Sequence, residues 1–185
     1  MKYCKYVFAV LCIAIIGIWI YLVYDINEAY PSPEDVVYKK GETFEYYGLK
    51  ITPEDVQIYT YDEMCDQYEE LKNDSSNVEE RSKYYYIIVT LHIKNENKNE
   101  IIIKDDLVSY WMLETGLAAN GMDMDMSYVV NYTSDIFKMD YEGEIEVPYF
   151  VYCEEVDNMS KQEILNQGIK IVLNYYPDKK YILFN

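Results

Sequence analysis

The sequence holds one histidine, His92, in 185 residues. That scarcity leaves His92, on the strand face opposite the core set, as the sole imidazole, so no Ser-His-Asp or Cys-His catalysis is expected, and His92-Ile93-Lys94 has no second zinc ligand beside it. Basic residues are also few, with 16 lysines and arginines against 33 aspartates and glutamates and a formal net charge of −17. A surface so negative repels phosphate backbones, so no nucleic acid is expected as a partner, and anionic lipid headgroups are equally disfavoured. No G-x-S-x-G, P-loop or G-x-G-x-x-G occurs, which leaves no motif for a phosphate or dinucleotide cofactor. The expectation is a chain with no catalytic residues and no cofactor, not an enzyme. Cysteine is scarce as well. Cys4 and Cys12 fall in an apolar stretch, and Leu11 before Cys12 is too bulky for a lipoprotein site. Cys65 and Cys153 are the only other pair; an oxidising exterior permits a bridge, but sequence cannot show that their Cα atoms approach to the required ~4.4–6.8 Å.

What the sequence does contain begins with Tyr6 to Tyr24, YVFAVLCIAIIGIWIYLVY, a run with no charge and no proline. As a helix it is about 28 Å long, close to the hydrocarbon thickness of a bilayer. Lys2 and Lys5 precede it and no further basic residue follows until Lys39, which predicts a cytoplasmic N-terminus and a C-terminal part outside the cell membrane. A cleaved signal peptide has a shorter apolar core and a small-x-small site, whereas Trp19 to Tyr24 is bulky throughout. Residues 1–24 are therefore read as a cytoplasmic tip and a single transmembrane signal-anchor helix, with residues 6–24 meeting the lipid bilayer. Residues 25–40, with Pro31 and Pro33 among charges, read as an extended stalk.

From Gly41 onward short apolar runs alternate with turn residues. Thr43 to Tyr47, Leu49 to Thr52 and Val56 to Tyr61 are strand-like, with a break at Pro53. Asp62 to Lys72 is a helical insertion, carrying Met64, Tyr68 and Leu71 at helical spacing. Tyr84 to Asn95 is the clearest strand: Tyr85, Ile87, Val89, Leu91 and Ile93 share one face and should point to the core. Short strands are expected at Glu100 to Lys104 and Leu107 to Glu114, and another from Ile145 to Cys153, at an edge or bulge because of Pro148. Ser160 and Glu163 form a capping box for a helical turn, and Ile169 to Tyr176 with Lys180 to Phe184 form a hairpin. The pattern predicts a mainly β protein, an antiparallel sandwich with a short helical insertion over residues 41–185.

Two groups of residues could carry binding. Tyr84, Tyr86 and His92 share the face of their strand opposite the core set. With 23 tyrosines in the chain, such a face could stack on a glycan or receive an envelope protein. The competing reading is that these tyrosines pack a second layer. Asp123 and Asp125, in a glycine-flanked loop, are weak Ca²⁺ candidates, and Asp105-Asp106 ends a strand; no D-x-[DN]-x-[DN]-G loop accompanies either, so no metal is assigned.

The order of basic residues, apolar anchor, acidic stalk, then GETFEYYGLKIT (Gly41 to Thr52), IKNENK (Ile93 to Lys98) and YEGEIEVPYFV (Tyr141 to Val151) resembles uncharacterised extracytoplasmic immunoglobulin-like (telokin-like) domains anchored to membranes of Gram-positive bacteria. The resemblance implies an immunoglobulin-like β-sandwich outside the cell and supplies no catalytic residues. The resulting expectation is a non-catalytic protein-interaction or binding module at the cell envelope. A metal-dependent envelope enzyme using the acidic loops and an accessory subunit of a membrane complex are the alternatives.

Overall fold

A computed structural model describes residues 2–72, 78–96, 107–116, 118–133, 138–156 and 159–185. The chain divides into two units, Met1–Glu34 and Asp35–Asn185. The first is built on α1 (Lys2–Ala29), in which Tyr6–Ala29 is long and apolar enough to cross a membrane and no residue of its most apolar window is buried. The helix runs past Tyr24 because nothing from Asp25 to Ala29 interrupts it. It ends at Tyr30, where the following Pro31 disfavours helical backbone.

The second unit is two stacked sheets. One has the order β1 (Asp35–Lys39), β9 (Lys179–Phe184), β8 (Ile169–Asn174), β5 (Met112–Thr115), β6 (Ala118–Gly121). The other runs β2 (Phe44–Tyr46), β3 (Leu49–Tyr59), β4 (Tyr84–Asn95), β7 (Glu142–Tyr152). Neighbours are antiparallel except β1 and β9, which are parallel. The unit thus begins at Asp35 rather than Gly41: the end of the expected stalk is an edge strand, and Tyr38 stacks on Phe44 with ring centroids 3.8 Å apart.

Ile87, Val89, Leu91 and Ile93 of β4 enter the main core together with Leu113, Ile171 and Ile182 of the facing sheet, as their alternation predicts. Trp111 is fully buried there, edge-on to Tyr46 at 6.1 Å. The other face of β4 is buried too. Tyr86 and Ile88 lie in a second core with Tyr61 and Met64 of α2 (Tyr61–Gln67), Leu71 of α3 (Glu69–Lys72), and Met126 and Val130 of the loop after β6.

Several local expectations change. The helical insertion is two helices, since Tyr68 between them is extended (φ −121°, ψ 106°) and its hydroxyl donates to Glu146 Oε2 at 3.1 Å. β3 continues through Pro53 with a bulge between Pro53 and Asp55. β2 pairs only with residues 49–51, so the missing N–H faces an open edge there, and the Pro53 carbonyl accepts from Gly41 N at 2.7 Å. Leu107–Tyr110 is a 3-10 turn and not strand. Trp111 N donates to Val108 O at 3.1 Å, so Val108 and Trp111, three residues apart, both turn inward. Pro148 sits on edge strand β7 without a bulge, its carbonyl pointing outward to accept from Asp123 N. α5 (Lys161–Gln167) has the Ser160–Glu163 capping box, Gly168 (φ 83°) ends it, and the β8–β9 hairpin follows. Cys65 and Cys153 are free thiols. The expected strand at Glu100 to Lys104 and Asp105-Asp106 lie outside the described residues.

Two substitutions test this packing by urea unfolding followed by tyrosine and tryptophan fluorescence. Trp111→Ala should cost about 3–5 kcal/mol, the usual penalty for emptying an aromatic site in a core. The Tyr149 hydroxyl is buried with no hydrogen-bond partner among the described residues, so Tyr149→Phe should leave the midpoint unchanged or raise it.

Candidate functional site

A recess walled by aromatic side chains lies where β4 begins and β7 ends. Register places Tyr84 opposite Tyr152 and Tyr86 opposite Phe150, so four aromatic side chains share the outer face of the sheet. Tyr84 packs on Tyr152 (centroids 4.6 Å) and on Phe150 (5.0 Å), and edge-on to Tyr86 (6.2 Å). The short helix α4 (Val78–Arg81) leads into β4 and brings Glu80 and Arg81 alongside. Across from them runs the loop after β6, fastened to the edge of β7 by Asp123 N donating to Pro148 O at 2.8 Å. Between loop, helix and aromatic wall lies a recess of about 260 Å³, with Asp123, Asp125 and Met126 on its loop side.

Asp123, Glu80 and Tyr84 at the recess are held by local hydrogen bonds. Asp123 Oδ1 accepts from Met126 N at 3.0 Å, and Ser127 Oγ donates to Met124 O at 2.6 Å, which fixes the loop as a tight turn. The Tyr84 hydroxyl lies 3.2 Å from Glu80 Oε1 and 3.1 Å from the Tyr152 hydroxyl, while Lys83 donates to Glu80 Oε2 at 2.8 Å. The Arg81 guanidinium stands 5.9 Å from the centre of the Tyr61 ring.

The electrostatics follow from this crowding. Burial pushes the Asp123 carboxyl above its ordinary value and the Asp125 charge adds to that; backbone N–H groups and Arg81 oppose the rise without cancelling it. The Tyr84 hydroxyl is raised by its bond to Tyr152, by burial and by Glu80. Tyr86 is raised chiefly by burial and next by the Asp123 charge. Glu80 goes the other way, held down by Lys83 and Tyr84.

The structure therefore gathers residues from both sequence-derived groups, Tyr84 and Tyr86 from one and Asp123 and Asp125 from the other, into one place. It leaves His92 out. His92 pairs across to Thr52 and Glu144, six positions along β4 from Tyr86, or about 20 Å at strand rise. Nor do the tyrosines form an open sheet face, because Tyr86 is only 2% exposed under α2 and the loop. Asp123 spends an oxygen on its own turn, and the described residues hold no group of three or more His, Cys, Asp or Glu that could bind a metal. Glu80, Arg81, Met126 and Phe150 escaped the sequence reading. Phe150 alone left a signal, in its alternation with Tyr152 along β7.

A family model described as a domain of unknown function (DUF5028) matches residues 22–180. The chain belongs to this family. An uncharacterized β-sandwich protein from Clostridium difficile 630, a crystal structure at 1.90 Å resolution, is similar to this DUF5028 chain at 13% identity and a TM-score of 0.44. The match covers 83% of this chain and 95% of the other. No curated protein matches.

Because the native state raises the Asp123 pKa above 3.8, it binds that proton more tightly than the unfolded chain does. The carboxyl's contribution is thus most favourable below pH 3.8 and declines as pH rises through the folded value. Asp123→Asn keeps an acceptor for Met126 N–H and removes the half-buried charge. The difference in urea midpoint, variant minus wild type, should grow as pH rises from about 4 to neutrality; a difference that shrinks would contradict the assignment.

Proposed function

We propose that this protein is a single-pass, membrane-tethered module. Its immunoglobulin-like sandwich lies outside the cytoplasm and binds another envelope component without catalysing a reaction. The observation that carries the reading is α1: Tyr6–Ala29 is long and apolar enough to cross a membrane, its stretch from Tyr6 to Tyr24 carries no charge, and no residue of its most apolar window is buried. Leaving such side chains in water forgoes on the order of 1.5–3 kcal/mol each, so the hydrocarbon of a bilayer is the environment that suits them. Lys2 and Lys5 on one side, with no basic residue until Lys39 on the other, favour the cytoplasmic orientation of the N-terminus. Trp19, Tyr21 and Tyr24 suit the opposite interface. The binding role rests on the recess beside Tyr84, where aromatic surface and carboxylates converge on a scaffold buried on both sides.

The test uses the full chain expressed in a bacterial host. It should remain in the carbonate-washed membrane fraction with its N-terminal segment intact by mass spectrometry, and protease added to intact spheroplasts should digest the sandwich. A photocrosslinking residue at Tyr152 should give a discrete protein adduct, and one at Lys170 on the opposite sheet should not. Recovery from the medium without the apolar helix, or protection from external protease, would refute the tether.

A further inference from the structure

We infer that the recess between α4, β4, β7 and the loop after β6 receives a basic side chain, lysine or arginine, from a segment of a partner protein. The inference rests on the binding role proposed above and names the partner's chemistry. Three observations converge on it. The recess is about 260 Å³, below the ~300–1,000 Å³ of pockets that enclose whole small molecules, so it is scaled to one side chain and not to a glycan. Its wall is aromatic, with Tyr84 and Phe150 at 5.0 Å presenting ring surface over which a cation is attracted by the ring quadrupole. Its charged lining is Glu80, Asp123 and Asp125 against Arg81 alone.

The charge balance favours a further cation. Glu80 is engaged by Lys83 at 2.8 Å, whereas among the described residues no lysine pairs with Asp123 or Asp125 in the same way. Asp123 stays above its ordinary pKa with Arg81 beside it, so that guanidinium leaves part of the desolvation cost standing, and an arriving ammonium or guanidinium would offset it. The rim suits a protein partner. Met124, between the two loop carboxylates in sequence, and Tyr128, three residues after the second, are 48% and 86% exposed, and Tyr152 borders Tyr84. Tyrosine and methionine are the residue types that interfaces enrich. A chain with formal charge −17 also draws a basic segment toward it at long range.

The experiment is a titration of the full chain in neutral detergent, by NMR with labelled tyrosine rings. Three Gly/Ser nonapeptides are compared, with lysine, arginine or uncharged norleucine at the centre. The lysine and arginine peptides should shift the Tyr84 and Tyr86 signals and bind at least tenfold more tightly than the norleucine peptide. Asp123→Asn combined with Asp125→Asn should weaken them at least tenfold, while the unfolding midpoint shows that the fold persists. Tyr84→Leu should weaken the charged peptides and leave norleucine unchanged. Equal affinity for all three peptides, no binding of the basic ones at millimolar concentration, or binding indifferent to the carboxylate pair would overturn the inference. Those outcomes are separable from failure of the tether, which is read by fractionation and protease access.

Discussion

Tyr86 and Ile88 lie on the face of β4 turned away from the sheet-to-sheet core, and exposing either to water would forgo on the order of 1.5–3 kcal/mol. A two-layer sandwich has nothing to offer that face. The chain covers it with α2, α3 and the 3-10 turn at Met126–Tyr128, all drawn from connections between strands. The central strand is then buried on both sides and hydrogen-bonded on both edges, to β3 and to β7. Each cover has its own fastening. Thr60 and Glu63 cap α2 reciprocally, Tyr68 reaches Glu146 on β7, and the loop after β6 is tied to Pro148.

The recess is the gap this cover leaves. Tyr86 is buried in the second core, whereas Tyr84 packs against that core only partly buried, its ring against Phe150 and Tyr152. The loop that completes the second core with Met126 also carries Asp123 and Asp125, so a packing requirement brings carboxylates beside aromatic surface. Burial of Asp123 makes its charge expensive in the free protein, and a group whose charge is costly alone gains most from an opposite one. On the opposite sheet Glu114 is already compensated: it is paired with Lys179 at 2.9 Å and accepts from Tyr175 at the same distance. Those bonds hold its carboxyl down against the upward push of burial.

The parts of the fold legible in the sequence were those that depend on spacing. The alternation from Ile87 to Ile93, the Ser160–Glu163 box, the β8–β9 hairpin and the edge position of Pro148 are each fixed by residues within a few positions of one another. Expectations failed where a distant partner overrode local preference. Pro53 breaks a strand only if its N–H side must pair, and β2 is too short to demand it. Tyr68 continues a helical pattern, but its hydroxyl is satisfied on β7. Val108 and Trp111 fit strand alternation equally well, yet a 3-10 turn buries both against the facing sheet.

For the candidate site the division is similar. Composition and periodicity determined that Tyr84 and Tyr86 share a face, that Asp123 and Asp125 sit in a loop, and that an acidic β-domain follows an apolar helix, because these depend on residue type and near-neighbour order alone. Only the tertiary structure decided that tyrosines and aspartates meet while His92 stands apart. That meeting rests on the β4–β7 register and on hydrogen bonds that tie the loop to β7, among them Asp123 N to Pro148 O and Asn131 N to Glu146 Oε2, all joining residues distant in the chain, and no local pattern records where such contacts will close.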